Sequence, residues 1–134
     1  MSVNPRTLQR GAAVLVAGSL TLGLAGELPA DAQTQKQHNQ AIAKTMVHQR
    51  HWSNTQFKCL VKLWNRESGW RTRAGHVGGS YGVPQALPGR KMRSAGKDWR
   101  TNPKTQIKWG LRYIKGRYGT PCRAWKHSQA HGWY

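Results

Sequence analysis

The chain has 134 residues, with 22 Lys and Arg against 4 Asp and Glu and a formal net charge of +18. That length has room for one small domain, and so high a charge with few Leu, Ile, Val and Phe is the composition of a disordered chain. Seven Trp and four Tyr exclude that class, because each buries a large area; a folded domain with an aromatic core and a basic surface is expected.

Residues 1–32 have the three parts of a secretory signal. Arg6 and Arg10 form a basic start, Gly11 to Gly26 is apolar and uncharged, and Ala30-Asp31-Ala32 supplies small residues at the spacing a signal peptidase reads. A membrane anchor is the competing reading, but the apolar run is short for a spanning helix, which needs about 20 residues. Cleavage after Ala32 removes two basic and two acidic residues, so the charge stays at +18. A secreted protein, extracellular or associated with a cell wall, is the expectation.

Residues 33–40 are rich in Gln, Asn and His with no apolar period, and read as a flexible lead-in to a domain over 41–134. Residues 41–47 form a short helix with Ile42, Met46 and Val47 inward. Ser53-Asn54-Thr55-Gln56 has the pattern of a capping box. Phe57, Leu60, Val61 and Trp64 follow at helical spacing, and Glu67 falls on the same face. Gly69 is a stop. Residues 71–90 hold Gly75, Gly78, Gly79, Gly82, Pro84, Pro88 and Gly89, a loop or short hairpin. A short helix over Lys91–Ala95 comes next. Asn102-Pro103 is a cap and first helical position, and Ile107, Leu111, Ile114 and Tyr118 carry the apolar stripe of a helix that Gly119 ends. Thr120-Pro121 repeats the start signal for a last helix to about Gln129.

Cys59 and Cys122 are the only cysteines. In a secreted chain they most simply form one disulfide, worth about 4 kcal/mol of loop entropy in the chain-entropy model. A metal site of Cys59, Cys122, His127 and His131 is the alternative, although zinc sites usually carry their cysteines as a close pair. Neither a metal nor a cofactor is expected.

Glu67 and Asp98 are the only carboxylates beyond residue 32. A carboxyl group on an apolar helix face, in the last helical turn, has two reasons to keep its proton: desolvation and the negative end of the helix dipole. A raised pKa makes it a proton donor near neutral pH, as glycoside cleavage requires. The plain alternative is an ion pair with Arg66 or Arg71. For Asp98, in Gly96-Lys97-Asp98-Trp99, a local role is expected, a turn hydrogen bond or a salt bridge to a nearby Lys or Arg.

From about Trp52 to Tyr134 the chain resembles the lysozyme-like lytic transglycosylase domains of secreted actinobacterial cell-wall proteins. Glu67-Ser68-Gly69-Trp70 is similar to the Glu-Ser motif of soluble-lytic-transglycosylase-type domains. Gly79-Ser80-Tyr81-Gly82-Val83-Pro84-Gln85 stands where that superfamily has a Gly-rich turn ending in Gln, and Ala86-Leu87-Pro88-Gly89 continues the actinobacterial version. Asn102-Pro103 to Gly119 and Pro121 to Ser128 resemble its closing helices. Motifs in this order are more specific than a lone Glu-Ser pair. The resemblance implies a mainly α, lysozyme-like α+β fold in which the Gly-rich loop or hairpin forms a substrate cleft.

It also implies an activity. Glu67 would protonate the oxygen between N-acetylmuramic acid and N-acetylglucosamine in peptidoglycan, then take the proton of the 6-hydroxyl as a 1,6-anhydro ring closes. Gln85, Tyr81, Ser68 and Trp125 are the candidate substrate-binding residues; Trp125 stands near the position of a functional Tyr in many relatives and lacks its hydroxyl. A retaining hydrolase would instead need a second carboxylate at about 5 Å, an inverting one somewhat further off, and only Asp98 is on offer. The expected partners are peptidoglycan glycan strands and, through the charge, anionic wall polymers, with the protein a monomer. A non-catalytic cationic wall binder is the second class. Nucleic acid is not expected, since no established nucleic-acid motif is present.

Overall fold

Asn54 to Ser68 is helical because its start and stop are both encoded. The computed structural model describes residues 29–134, so the signal-sequence reading lies almost entirely outside the described residues. Within them the protein is mainly helical: α1 is Ala30–Gln49, α2 Asn54–Ser68, α3 Pro103–Arg117 and α4 Pro121–His131, with a 3-10 helix at Gly89–Ala95 between α2 and α3. Ser53 accepts from the Gln56 N–H at the head of α2, and Gly69 closes it in the left-handed conformation at φ 62°. Asn102 and Thr120 cap α3 and α4 through their side chains, each with Pro in the first turn.

The lead-in expected over 33–40 is instead the middle of α1, and the 41–47 helix is its later part. The inward face explains why. Asn39, Ala43 and Val47 are buried at four-residue spacing, so the stripe is helical but opens with a polar residue. Asn39 donates to the Trp70 carbonyl at 2.8 Å and to the Thr72 hydroxyl at 3.1 Å. Gln35 Oε1 accepts from the Thr72 N–H at 2.7 Å. Polar side chains thereby bind α1 to the chain that leaves α2.

The main core gathers Leu60, Leu63 and Trp64 of α2, Ile107, Leu111 and Ile114 of α3, Ala124 of α4, Val83 of the loop and Trp70, all fully buried. Trp64 and Trp70 meet edge to face at 5.2 Å, an arrangement worth about 1 kcal/mol beyond burial. A smaller cluster of Tyr81, Ala86, Met92 and Trp99 lies beneath the Gly-rich segment. Cys59 of α2 and Cys122 of α4 are disulfide-bonded, with Cα atoms 4.9 Å apart. That bond takes both thiols out of the alternative metal set.

The Gly-rich segment is a loop folded on isolated bridges, Gly75 with Tyr81 and Tyr81 with Ala86. Tyr81 and Ala86 exchange both backbone hydrogen bonds at 3.0 Å, closing the tight turn 81–86. Gln106 of α3, fully buried, anchors that turn. Its Oε1 accepts from the Val83 N–H at 2.8 Å, and its Nε2 donates to the Thr72 and Trp99 carbonyls at 2.9 and 2.8 Å. Gly82, at φ 82°, passes so close that a Cβ would stand 2.6 Å from Gln106 Oε1.

Candidate functional site around Glu67

Glu67 occupies the last turn of α2, half-buried, three residues beyond the fully buried Trp64. Burial raises its pKa above the ordinary carboxylate value, and the charge of Arg66 offsets part of that rise. The two expected ion-pair partners are turned elsewhere. Arg66 Nη1 donates to the Ser128 carbonyl on α4 at 3.0 Å, and Arg71 Nε donates to the Ser68 carbonyl at 2.9 Å. Among the described residues no side chain hydrogen-bonds the Glu67 carboxylate, so its protonation is set by solvation rather than by a partner.

The neighbouring group that matters most is Tyr134. Its hydroxyl accepts from the Trp64 indole N–H at 2.8 Å and donates to the Pro84 carbonyl at 2.7 Å. Burial raises its pKa well above the usual phenol value; the Trp64 bond opposes that rise, and the charge of Glu67 adds to it. Tyr134 therefore remains a neutral phenol within electrostatic reach of Glu67.

Tyr134 also lines a cavity of about 200 Å³, together with Pro84, Gln85, Lys91, Trp109 and Tyr113. Trp109 and Tyr113 stack at 5.2 Å along one face of α3, and Tyr113 meets Tyr134 edge to face at 5.7 Å. Burial raises the Tyr113 pKa, with the charge of Arg117 acting against it. Glu67 is not itself in the cavity lining; Tyr134, which lines it, feels the charge of Glu67. Aromatic rings, an amide and an ammonium group line one cavity, a combination that can pack an apolar face and fix its polar substituents.

Gln85 lies in the 81–86 turn and lines the cavity. Its backbone is left-handed at φ 55°, which turns its side chain back across the loop. Its Nε2 donates to the Ala74 and Gly82 carbonyls at 3.1 and 3.0 Å. The donor end of the amide is thus engaged, and Oε1 is the end left to accept from a ligand.

Of the other three expected substrate-binding residues, Ser68 and Tyr81 have their hydroxyls engaged within the protein. Ser68 is buried, donating to the Val83 carbonyl at 2.6 Å and accepting from the Trp70 N–H at 3.0 Å; it ties the end of α2 to the loop. Tyr81 is 5% exposed and donates to the Arg100 carbonyl at 2.8 Å, so its hydroxyl faces the protein. Trp125 packs half-buried against the main core from α4, outside the cavity wall. Trp109 reads from the sequence as a core residue rather than a sugar platform, and it lines the cavity; Lys91, Tyr113 and Tyr134 carry no such reading, and the i, i+4 pair Trp109 and Tyr113, off the main apolar stripe of α3, was the available signal.

Asp98 has a local role. Its two oxygens accept from Asn102 Nδ2 at 2.7 Å and Thr105 Oγ1 at 2.6 Å. Those bonds lower its pKa, the Thr105 bond first. Among the described residues no three His, Cys, Asp or Glu side chains gather as a metal set, and no helix is long and apolar enough to cross a membrane.

No protein-family model matches the chain, and comparison with curated proteins and with solved structures gives no match either.

Proposed function

We propose that the protein is a peptidoglycan-cleaving enzyme of the lytic transglycosylase type, acting outside the cell on the bond between N-acetylmuramic acid and N-acetylglucosamine. The observation that carries this reading is the Glu67 carboxyl group: half-buried, unpaired and with a raised pKa, beside the phenol of a cavity-lining tyrosine. The order of motifs from Trp52 onward supports a lysozyme-like arrangement, with the Gly-rich turn as one wall of the cleft.

The chemistry needs one carboxyl group used twice. Protonated Glu67 gives its proton to the glycosidic oxygen, and the bond from that oxygen to the muramic C1 breaks. The acetamido oxygen of the same sugar bonds to C1 and spreads the positive charge. Glu67, now a carboxylate, takes the proton of the C6 hydroxyl as O6 attacks C1 and displaces the acetamido oxygen. The products are an anhydro-ended fragment and a free 4-hydroxyl, and Glu67 ends as it began. Gln85 Oε1 accepts from an acetamido N–H, and the Trp109 and Tyr113 rings flank the sugar.

The engagement of Asp98 by Asn102 and Thr105 weighs against a two-carboxylate hydrolase. Mass spectrometry of muropeptides released by the purified protein tests the assignment. Anhydro-muramyl ends are expected, and Glu67→Gln should lower their release by about 100-fold or more, the scale of a lost general acid. Reducing ends would replace the transglycosylase reading with a hydrolase. A Glu67→Gln protein as active as wild type would end the catalytic reading.

A further inference from the structure

The 3-10 helix Gly89–Ala95 has basic residues on two sides. Lys91 lines the aromatic cavity, whereas Arg90 and Arg93 line a separate hollow of about 350 Å³ with Lys97, Trp99 and Arg100. Four cations around one hollow repel one another unless an anion joins them. Arg90, Arg93, Lys97 and Arg100 are all exposed. The one carboxylate in this turn, Asp98, has both oxygens committed to Asn102 and Thr105. Three guanidinium groups in one hollow match the geometry of phosphate oxygens, which they bind in pairs.

We infer that this hollow binds a linear phosphodiester polymer that carries no bases. The aromatic residue decides between polymers. Single-stranded nucleic acids are held by bases stacked on open aromatic faces, and the one ring in this hollow, Trp99, is only 4% exposed. The Arg100 guanidinium lies 5.0 Å from its ring centroid, and Tyr81 meets it edge-on at 5.8 Å. No aromatic face is left for a base to stack on, so recognition rests on the guanidinium groups and the phosphates they pair with. The shared 3-10 helix sets this anion site next to the aromatic cavity, the placement needed for a glycan that carries a phosphate polymer as a branch. The site itself stands on charge and geometry; only that last placement rests on the catalytic reading of Glu67.

Titration with poly(glycerol phosphate) of defined length, followed by calorimetry across a salt series, tests the site. Two triple variants remove equal charge from exposed positions: Arg90→Gln, Arg93→Gln, Lys97→Gln at the hollow, and Lys108→Gln, Arg112→Gln, Lys115→Gln on α3. The hollow variant should lose at least about tenfold in affinity, and its salt slope should fall by about 2, as three lost phosphate contacts require. The α3 variant should lose less than about threefold, reflecting net charge alone. Circular dichroism and thermal melting check that both are folded. Equal losses in the two variants would overturn the site in favour of diffuse attraction. So would tighter binding of single-stranded DNA with the same number of phosphates, or equally tight binding of a polycarboxylate of the same charge, through the same three residues. Glu67→Gln should bind the polymer as wild type does, so failure of the catalytic reading leaves this result standing and the reverse is also true.

Discussion

The indole N–H of Trp64 donates to the hydroxyl of Tyr134 at 2.8 Å, across 70 residues of sequence. The same hydroxyl donates to Pro84 at 2.7 Å, so one phenol joins α2, the Gly-rich turn and the end of the described chain. Tyr134→Phe removes it and leaves two polar groups of the interior without a partner. The expected cost is about 2 kcal/mol, the scale of an unmet buried hydrogen-bonding group, read as a lower denaturant midpoint with an unchanged slope. If Glu67 is the general acid, muropeptide release should fall as well, because Tyr134 ties the loop at Pro84 to Trp64, three residues before Glu67. A variant as stable and as active as wild type would show that this bridge supports neither.

Glu67 makes a signed prediction for stability against pH. Its folded pKa is raised by burial above the ordinary carboxylate value, so the folded state holds the proton more tightly than the unfolded chain. The stability linked to Glu67 is complete below the ordinary carboxylate value and is lost as pH rises through the raised one. Glu67→Gln cannot ionise and escapes that loss. Thermal melting should therefore find Glu67→Gln more stable than wild type at pH 7, with the difference shrinking as pH falls below the ordinary carboxylate range. A difference independent of pH would mean that the carboxyl is not desolvated.

Much of this arrangement was legible in the sequence because it depends on local signals. Ser53, Asn102 and Thr120 cap helices as their residue types predict, and Gly69 stops α2 because it accepts a left-handed backbone at no steric cost. The phasing from Leu60 through Trp64 placed Glu67 on a buried face. What escaped was long-range. Asn39 and Gln35 are polar, so their part of α1 carries no apolar period, and their partners near Thr72 lie more than 30 residues away. Ser68 and Tyr81 lie in the motifs that pointed to a sugar, yet their hydroxyls are spent on the Val83 and Arg100 carbonyls. Side-chain direction, which sequence spacing does not give for a loop, decides that difference.

Asp98 separates the two ways of cutting a glycoside. Its oxygens are held by Asn102 and Thr105, which ties it to the approach to α3. Asp98→Asn should keep muropeptide release within about threefold of wild type, the range of a change that leaves the reacting groups in place, with anhydro ends still produced. Its melting temperature should drop at neutral pH, since the amide presents one acceptor where the carboxylate presented two. Loss of about 100-fold or more in turnover with stability retained would instead make Asp98 the second carboxylate.

Gly110 tests how closely α3 must approach α2. Ala in place of a helical Gly ordinarily stabilises by about 1 kcal/mol, and Gly110 lies in the middle of α3. Here a Cβ would stand 2.6 Å from Cζ2 of Trp64 and 2.9 Å from Cβ of Pro84, well inside van der Waals contact. Trp64 is fully buried and bonded to Tyr134, so it has no free rotamer to retreat into. Overpacking of this kind costs about 1–3 kcal/mol, and the clash should outweigh the gain in propensity. Gly110→Ala is therefore expected to be less stable than wild type by chemical denaturation. Because the displaced groups, Trp64 and Pro84, are the two partners of the Tyr134 hydroxyl, turnover should fall along with stability. By contrast, Gly116→Ala on the same helix, where a Cβ would meet nothing within 4 Å, should be neutral or stabilising. Two alanines with the same effect would show that the Gly110 approach imposes no constraint.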